Sequence, residues 1–275
     1  MVSDLGNVQN KGFIWHMNKS IEDFSIAWAV FKDNLRAYLS VVLFVIVSVF
    51  GIVLIGIGTF GIFFTLNVLG IRLSQDVRIF LFIVLSVTIF IMLAITLVFS
   101  AFNATLYGLS YDIMSSGDLH TEFRKAFTYF KSNWFSYLVI SIPLLLSSLT
   151  YQLVTKDQIL EYIVFIFIDY FSIMYISGLL TSVTAKKKLI FSFKESFFLL
   201  KSDFRRIALT IGIYFLIFRS PYIISVYIAK LGLTIDFLIL TLLITNFLLM
   251  LFAGLIGNPI LSILATRIYN TNIND

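Results

Sequence analysis

Three times along this chain the same phrase precedes a long apolar run, and the phrase has the spacing of one helix face. The copies begin at Phe24, Phe123 and Phe193. Phe24, Ala27, Trp28, Phe31 and Leu35 recur as Phe123, Ala126, Phe127, Phe130 and Trp134, and again as Phe193, Ser196, Phe197, Leu200 and Phe204. Residues three, four, seven and eleven positions after a first one lie along one side of an α-helix. A lysine follows the fourth stripe position each time (Lys32, Lys131, Lys201), then Asp33-Asn34, Ser132-Asn133 or Ser202-Asp203. The phrase predicts an amphipathic helix lying on a membrane surface and leading into a spanning helix. Its membrane face would be Phe24, Trp28 and Phe31, then Phe123, Phe127 and Phe130, then Phe193, Phe197 and Leu200.

The rest of the chain suits that solvent. Mean hydropathy is +0.98, and only 13% of residues are charged, against about 25% in soluble domains. The apolar residues gather in runs longer than the roughly 20 needed to cross a bilayer as a helix. Six crossings are expected, at 37–62, 79–108, 134–154, 160–183, 206–229 and 237–266. The fold class is therefore an all-α polytopic membrane protein. A polar segment, 1–19, precedes one integral domain, 20–275, of three units at about 20–115, 119–185 and 189–270. Each unit is one surface helix plus two crossings. Gly51, Gly56, Gly58, Gly61 and Gly70 offer places where the first crossing bends or ends. The first 36 residues are polar and charged, an order unlike that of a cleavable signal peptide, so insertion is expected to be directed by the first crossing.

Basic residues set the orientation. One side takes Lys11, Lys19, Lys32, Arg36, Arg124, Lys125, Lys131, the seven between Lys186 and Arg206, and Arg267. The other side takes only Arg72, Arg78, Lys156 and Lys230. The positive-inside rule places both termini and the three surface helices in the cytoplasm, with the cell membrane as the expected address. Lys186, Lys187 and Lys188 read as a topology anchor and as contacts for anionic lipid. No extramembrane segment is large enough for a nucleic-acid-reading module, so nucleic acid is not an expected partner.

Several motifs lack the context their chemistry needs. Gly56-Ile57-Gly58-Thr59-Phe60-Gly61 spells a dinucleotide turn, but inside an apolar run rather than between a strand and a helix. Asn18-Lys19-Ser20 and Asn103-Ala104-Thr105 are sequons on the expected cytoplasmic side or within a crossing. Ser20-Ile21-Glu22-Asp23 reads as a helix start, with Ser20 as cap. There is no cysteine, and the two histidines, His16 and His120, are far apart, so no metal centre is expected. No phosphate loop, paired histidines or nucleophile elbow occurs. No catalytic residue and no cofactor is assigned, and the chain is not expected to be an enzyme.

Asp169 and Arg219 are different, because ionisable residues deep in a span are costly and need a reason to be there. Asp169 is 17 residues before Lys186, and Arg219 is 14 after Arg205. At 1.5 Å per residue the depths are roughly 25 and 21 Å, within one helical turn, so neighbouring antiparallel helices could pair them. Three readings stand: an ion pair that fixes helix register, the polar lining of a substrate or ion path, or no contact, with each group snorkelling or paired elsewhere. Pro143, Pro221 and Pro259 interrupt crossings, as prolines do both in transporters and in spanning helices at large. Gln152 and Asn246 read as interhelical hydrogen-bonding groups.

Ala27–Asn34 and Ala126–Asn133 entering a crossing, with Asn258-Pro259 and Ala265-Thr266-Arg267-Ile268-Tyr269 closing the last one, resemble a loose group of prokaryotic membrane domains. The group includes the membrane domain associated with glycerophosphodiester phosphodiesterases. The resemblance implies a six-helix membrane protein. It carries over no catalytic residues, and no soluble phosphodiesterase domain is expected after Asp275. The functional expectation is a non-enzymatic membrane component acting through lipid, a membrane-protein partner or a second copy. A small transporter using a path near Asp169 and Arg219 is the alternative.

Overall fold

The computed structural model describes residues 12–68, 77–116, 123–153, 159–185, 187–230 and 236–274. These residues are almost wholly helical. In chain order they form α1 (Phe13–Asp33), α2 (Leu35–Val68), α3 (Val77–Ser116), α4 (Phe123–Leu153), α5 (Ile159–Thr184) and α6 (Leu189–Ser202). Then come α7 (Phe204–Tyr214), α8 (Ser220–Lys230), α9 (Asp236–Phe252) and α10 (Asn258–Asn274). A π-helical turn joins α7 to α8 (Phe215–Arg219), and another joins α9 to α10 (Ala253–Gly257). Among the described residues, five stretches are long and apolar enough to cross a membrane: Leu35–Ile62, Val84–Ser115, Ile159–Thr184, Phe204–Ile228 and Ile244–Asn272. The expected crossing at 134–154 is not among them and runs beyond the described side chains.

The repeated phrase marks a break in the backbone. Asn34 (φ −113°, ψ 21°), Asn133 (φ −136°, ψ 29°) and Asp203 (φ −131°, ψ 41°) all leave helical geometry, each ten residues after the opening phenylalanine. Asn and Asp suit such a position because a short polar side chain can satisfy backbone groups that a bend releases. Asn34 Nδ2 donates to the Val30 carbonyl at 3.0 Å. Helix α4 therefore contains two segments, one before and one after Asn133.

Around each break the same offsets are buried. Ala27, Ala126 and Ser196 are buried before it; Tyr38, Tyr137 and Ile207, then Val41, Ile140 and Thr210, are buried after it. The predicted stripe divides accordingly. Ala27 and Phe31 point into the core, with Phe31 against Tyr38, so Phe31 is not on a membrane face. Phe130 and Leu200, at the same offset, also pack partly on the core. Trp28, Leu35, Trp134, Phe193, Phe197 and Phe204 are exposed. Phe24 is half-buried and stacks on Phe218, Phe127 is half-buried, and the side chain of Phe123 lies outside the described set. A helix resting on the end of a bundle has two apolar surfaces, and the small residue three positions into the phrase lets it approach closely.

Helices α3, α5 and α10 pack on one another at the centre. Their contact surfaces are small and hydroxylated, including Ala104, Ser110, Ser177, Thr181, Ser262 and Thr266, all buried. Small side chains allow the close backbone approach that drives helix association in lipid. Hydroxyls satisfy themselves on the preceding turn: Thr105 on Ala101, Thr181 on Ser177, Thr266 on Ser262. Others bridge helices, as in the chain Tyr38 Oη, Ser110 Oγ and Ser262 Oγ, with links of 2.9 and 2.7 Å. Helix α1 packs on α7 and α10, α4 on α3, and α6 on α5.

Three sequence expectations change. Helix α2 runs unbroken through Gly51, Gly56, Gly58 and Gly61, so none of these glycines ends it; Gly70 lies outside the described residues. Ser20 is not a cap, because α1 already starts at Phe13 and the Ser20 hydroxyl donates to the His16 carbonyl. The polar segment 1–19 thus contributes residues 13–19 to a packed helix. The π turns have a local cause. Pro221 and Pro259 each stand two residues beyond a turn, and proline lacks an N–H and clashes with the carbonyl four residues back. Those carbonyls belong to Ile217 and Leu255, inside the turns, where wider i→i+5 pairing relieves the clash.

Glycine positions separate tight from open surfaces. A Cβ on Gly108 would sit 3.0 Å from Tyr129 Cγ and 3.2 Å from the Ala126 carbonyl, whereas a Cβ on Gly51 would meet nothing within 4 Å. Gly108→Ala should therefore cost about 1–3 kcal/mol through overpacking. Gly51→Ala should be neutral or stabilise by up to about 1 kcal/mol through helix propensity. Thermal unfolding in detergent compares the two, and equal shifts would refute the packing of α4 on α3.

Candidate functional site

Two groups of buried charges stand out, one at the end of the bundle carrying the helix breaks and one deep between α5 and the first π turn. The first is built on the inward line of α1, where His16, Ser20, Asp23, Ala27 and Phe31 recur at helical spacing and are all buried. Asp23 is 0% exposed and receives two guanidinium groups. Arg206 of α7 donates from Nε at 2.7 Å and from Nη2 at 3.0 Å, and Arg267 of α10 donates from Nε at 2.7 Å. Arg206 also reaches Thr271 Oγ1 at 3.1 Å and Asp203 Oδ2 at 3.5 Å, and its carbonyl accepts from Ser20 Oγ at 3.2 Å. Arg267 Nη2 donates to Glu22 at 3.1 Å, and exposed Glu22 also takes Lys19 at 3.1 Å. A carboxylate with three charge-assisted donors is well compensated for its removal from water.

The edge of this cluster is less complete. His16 Nδ1 stands 3.8 Å from Asp203 Oδ1 with both side chains buried. Neither His16 ring nitrogen has a hydrogen-bond partner, and neither does Asp203 Oδ1. Burial pushes the Asp203 carboxyl above its ordinary range, against the opposing pull of Arg206 and His16.

The second group joins the residues singled out in the sequence. Arg219, the last residue of the first π turn, donates from Nε to Asp169 Oδ2 at 2.8 Å and from Nη2 to Oδ1 at 3.3 Å. Asp169 is buried, while the Arg219 side chain is 24% exposed. Beside it the Tyr170 hydroxyl donates to the Ala208 carbonyl, and the Tyr170 ring meets Phe215 edge-on. These contacts tie α5 to α7 and to the first π turn beside the pair.

The remaining sites of interest are dispersed. Lys187 and Lys188 are exposed, and Lys186 and His120 lie outside the described residues. The Asn246 side-chain oxygen is buried without a partner; the side chains of Pro143 and Gln152 are not among those described. Glu195 of α6 accepts from Ser182 and, at 3.2 Å, from Tyr269; Tyr129 of α4 donates to Asp112 of α3 at 2.5 Å. Helices α1, α4 and α6 are thus each held to a central helix by a bond to an acidic side chain. Among the described residues no trio of His, Cys, Asp and Glu could hold a metal ion. A shallow groove on α5 is apolar apart from its hydroxyls, being lined by Val164, Phe167, Ile168, Phe171, Ser172 and Tyr175.

Sequence reasoning missed the first cluster. It assigned Asp23 to a helix dipole and Arg206 to the orientation count, and set His16 on a polar segment. The signal was present: stepping back from Phe31 and Ala27 at helical spacing reaches Asp23, Ser20 and His16.

Both clusters yield measurable expectations. Asp23→Asn should destabilise by roughly 3–5 kcal/mol, since it removes the negative charge that compensates the buried Arg206 guanidinium and the half-buried Arg267. Glu22→Gln, on the exposed side of the same cluster, should change stability by about 0–1 kcal/mol. Equal losses in detergent unfolding would show that burial does not set the strength of this cluster. For the deep pair, Asp169→Asn and Arg219→Gln should each lower folded yield, and the double variant should recover much of it. A double variant that loses the sum of both singles would contradict direct energetic coupling. In comparisons with known proteins, no family model, no curated protein and no solved structure matches this chain.

Proposed function

We propose that this chain is a non-enzymatic, multi-pass component of the cell membrane that works by presenting helical surface to lipid or to a membrane-protein partner, including a second copy. The observation that carries this reading is how the polar groups are used. The deep charges Asp169 and Arg219 bond each other, and the central hydroxyls bond their own backbone or a neighbouring helix. What faces outward is apolar: Phe44, Val47, Phe50 and Ile55 on α2, Phe167 and Phe171 on α5, Phe191 and Phe197 on α6. Exposed Lys187 and Lys188 stand beside the α6 face, where anionic headgroups would meet them.

In this reading the chain makes six crossings in three units, with both termini and the surface helices in the cytoplasm. The shared break at Asn34, Asn133 and Asp203 supports the repeat. The earlier resemblance to prokaryotic six-helix membrane domains fits the same plan. A transport reading is favoured by one observation: Arg219 remains partly exposed at a π turn, next to a second π turn whose Gly257 lies against Phe218. Recovery of folding without recovery of biological activity in the double variant of Asp169 and Arg219 would move transport ahead.

Lipid retention tests the main reading. Protein purified from native membranes should keep anionic lipid through detergent exchange. Lys187→Gln with Lys188→Gln should lower that retention about thirtyfold, at roughly 1 kcal/mol for each of the two basic residues. Unchanged retention would remove the basic rim from the lipid-binding surface.

A further inference from the structure

We propose that the groove on α5 is a binding site for one anionic diacyl glycerophospholipid, with an acyl chain lying along α5 and the phosphate at Lys194 of α6. The site rests on the lipid-presenting role proposed above and gives it a location. Val164, Phe167, Ile168, Phe171, Ser172 and Tyr175 line the groove, which measures about 490 Å³. Phe167 and Ile168 are more than half exposed, so neither belongs to the protein core. From Val164 to Tyr175 the helix rises roughly 16 Å, close to one leaflet's share of a hydrocarbon layer about 30 Å thick.

The Tyr175 end is where this groove differs from a plain lipid-facing surface, because α6 crosses α5 there. The Tyr175 hydroxyl donates to the Phe193 carbonyl at 3.2 Å, and the two rings stack with centroids 6.3 Å apart. Ser196 Oγ donates to the Tyr175 carbonyl at 2.8 Å. Gly178 admits this approach, since a Cβ on it would sit 2.8 Å from the same Ser196 oxygen. A tyrosine that ends an apolar wall, beside a helix bearing lysines, has the setting of the water–lipid boundary.

The charge at that end is open to a ligand. Lys194 directly follows Phe193, is exposed, and makes no ion pair among the described residues. Its acidic neighbour Glu195 is engaged elsewhere, accepting from Ser182 and from Tyr269. A lysine stem can follow apolar surface while its ammonium stays at the boundary, where a phosphate would meet it. Lys187, Lys188 and Lys201 on either side are exposed as well. An anionic headgroup complements this row of cations, whereas a zwitterionic one would bring an ammonium of its own towards it.

Between cation and apolar wall lies one more polar group. The Ser172 hydroxyl, about one turn from Tyr175, has no hydrogen-bond partner among the described residues. Ser177, Thr181 and Thr184 of the same helix all bond carbonyls of the preceding turn. Lysine, hydroxyl and apolar wall therefore follow one another in the order of phosphate, ester carbonyl and acyl chain.

Intact-complex mass spectrometry of the detergent-purified chain, titrated separately with phosphatidylglycerol and phosphatidylcholine, reads the first lipid bound. Phosphatidylglycerol should bind the more tightly. Lys194→Gln should weaken it about fivefold, the size expected of one basic residue near a headgroup. Ile168→Trp, which fills the groove from an exposed position, should weaken it at least as much. Lys125→Gln on α4 and Val47→Trp on α2, both at exposed positions elsewhere, should leave the first lipid unchanged. Equal binding of the two lipids by the parent would overturn the site, as would equal effects of Ile168→Trp and Val47→Trp. If Lys187→Gln with Lys188→Gln still lowers retention of native lipid in that case, the groove site alone falls; if no anionic lipid is retained at all, the role it rests on falls with it. Should one groove variant not elute from a sizing column as the parent does, the other and its control decide.

Discussion

A carboxylate without access to solvent persists only where positive charge meets it, and Asp23 is met from two directions. Arg206 begins the last quarter of the chain and Arg267 nearly ends it, so one acidic side chain on the first helix joins segments more than 180 residues away. The donors are planar guanidiniums, which suit this task better than lysine because several N–H groups point in fixed directions. The rest of that end is arranged around the same contact. Ser20 bonds the Arg206 backbone, Thr271 takes another Arg206 donor, and Ala27 and Phe31 continue the line into the core.

The breaks at Asn34, Asn133 and Asp203 give this arrangement its regularity. A helix that ran straight from surface to interior could not cover the end of the bundle and then descend into it. Breaking at one Asn or Asp in each copy lets the first part lie across a central helix while the second part packs beside it. The small residue seven positions before the break is buried in every copy, and a large buried residue, Tyr38, Tyr137 or Ile207, follows four positions after it. The polar ties differ from copy to copy: Asp23 with arginines, Tyr129 with Asp112, Glu195 with Ser182 and Tyr269. The backbone geometry recurs while the chemistry that fastens it varies.

Much of this was legible in the sequence because lipid leaves few options for a backbone. Long apolar runs must be helices, and their approximate limits follow from length alone. The Asp169 and Arg219 depths could be compared by counting residues, since Asp169 lies on a regular helix and only one π turn separates Arg219 from another. Phe31 was misread because an amphipathic stripe reports which residues avoid water without saying whether protein or lipid replaces it. The Asp23 cluster escaped for a different reason. Asp23 is more than 180 residues from either of its arginines, and basic residues near span ends are expected on topological grounds, so Arg206 and Arg267 drew no further question. The glycines of α2 promised an end to the helix, but hydrogen bonding within the helix held through all of them.

The paired π turns carry one more implication. An extra residue in a helix advances everything beyond it by about 100°. In both α7–α8 and α9–α10 that advance occurs where the two helices touch, at Phe218 and Gly257. Each spanning rod is thus two half-rods out of phase, and the faces they show to their surroundings are chosen separately on either side of the turn. Substitutions that adapt one half to a bilayer or a neighbour need not disturb the inward face of the other half.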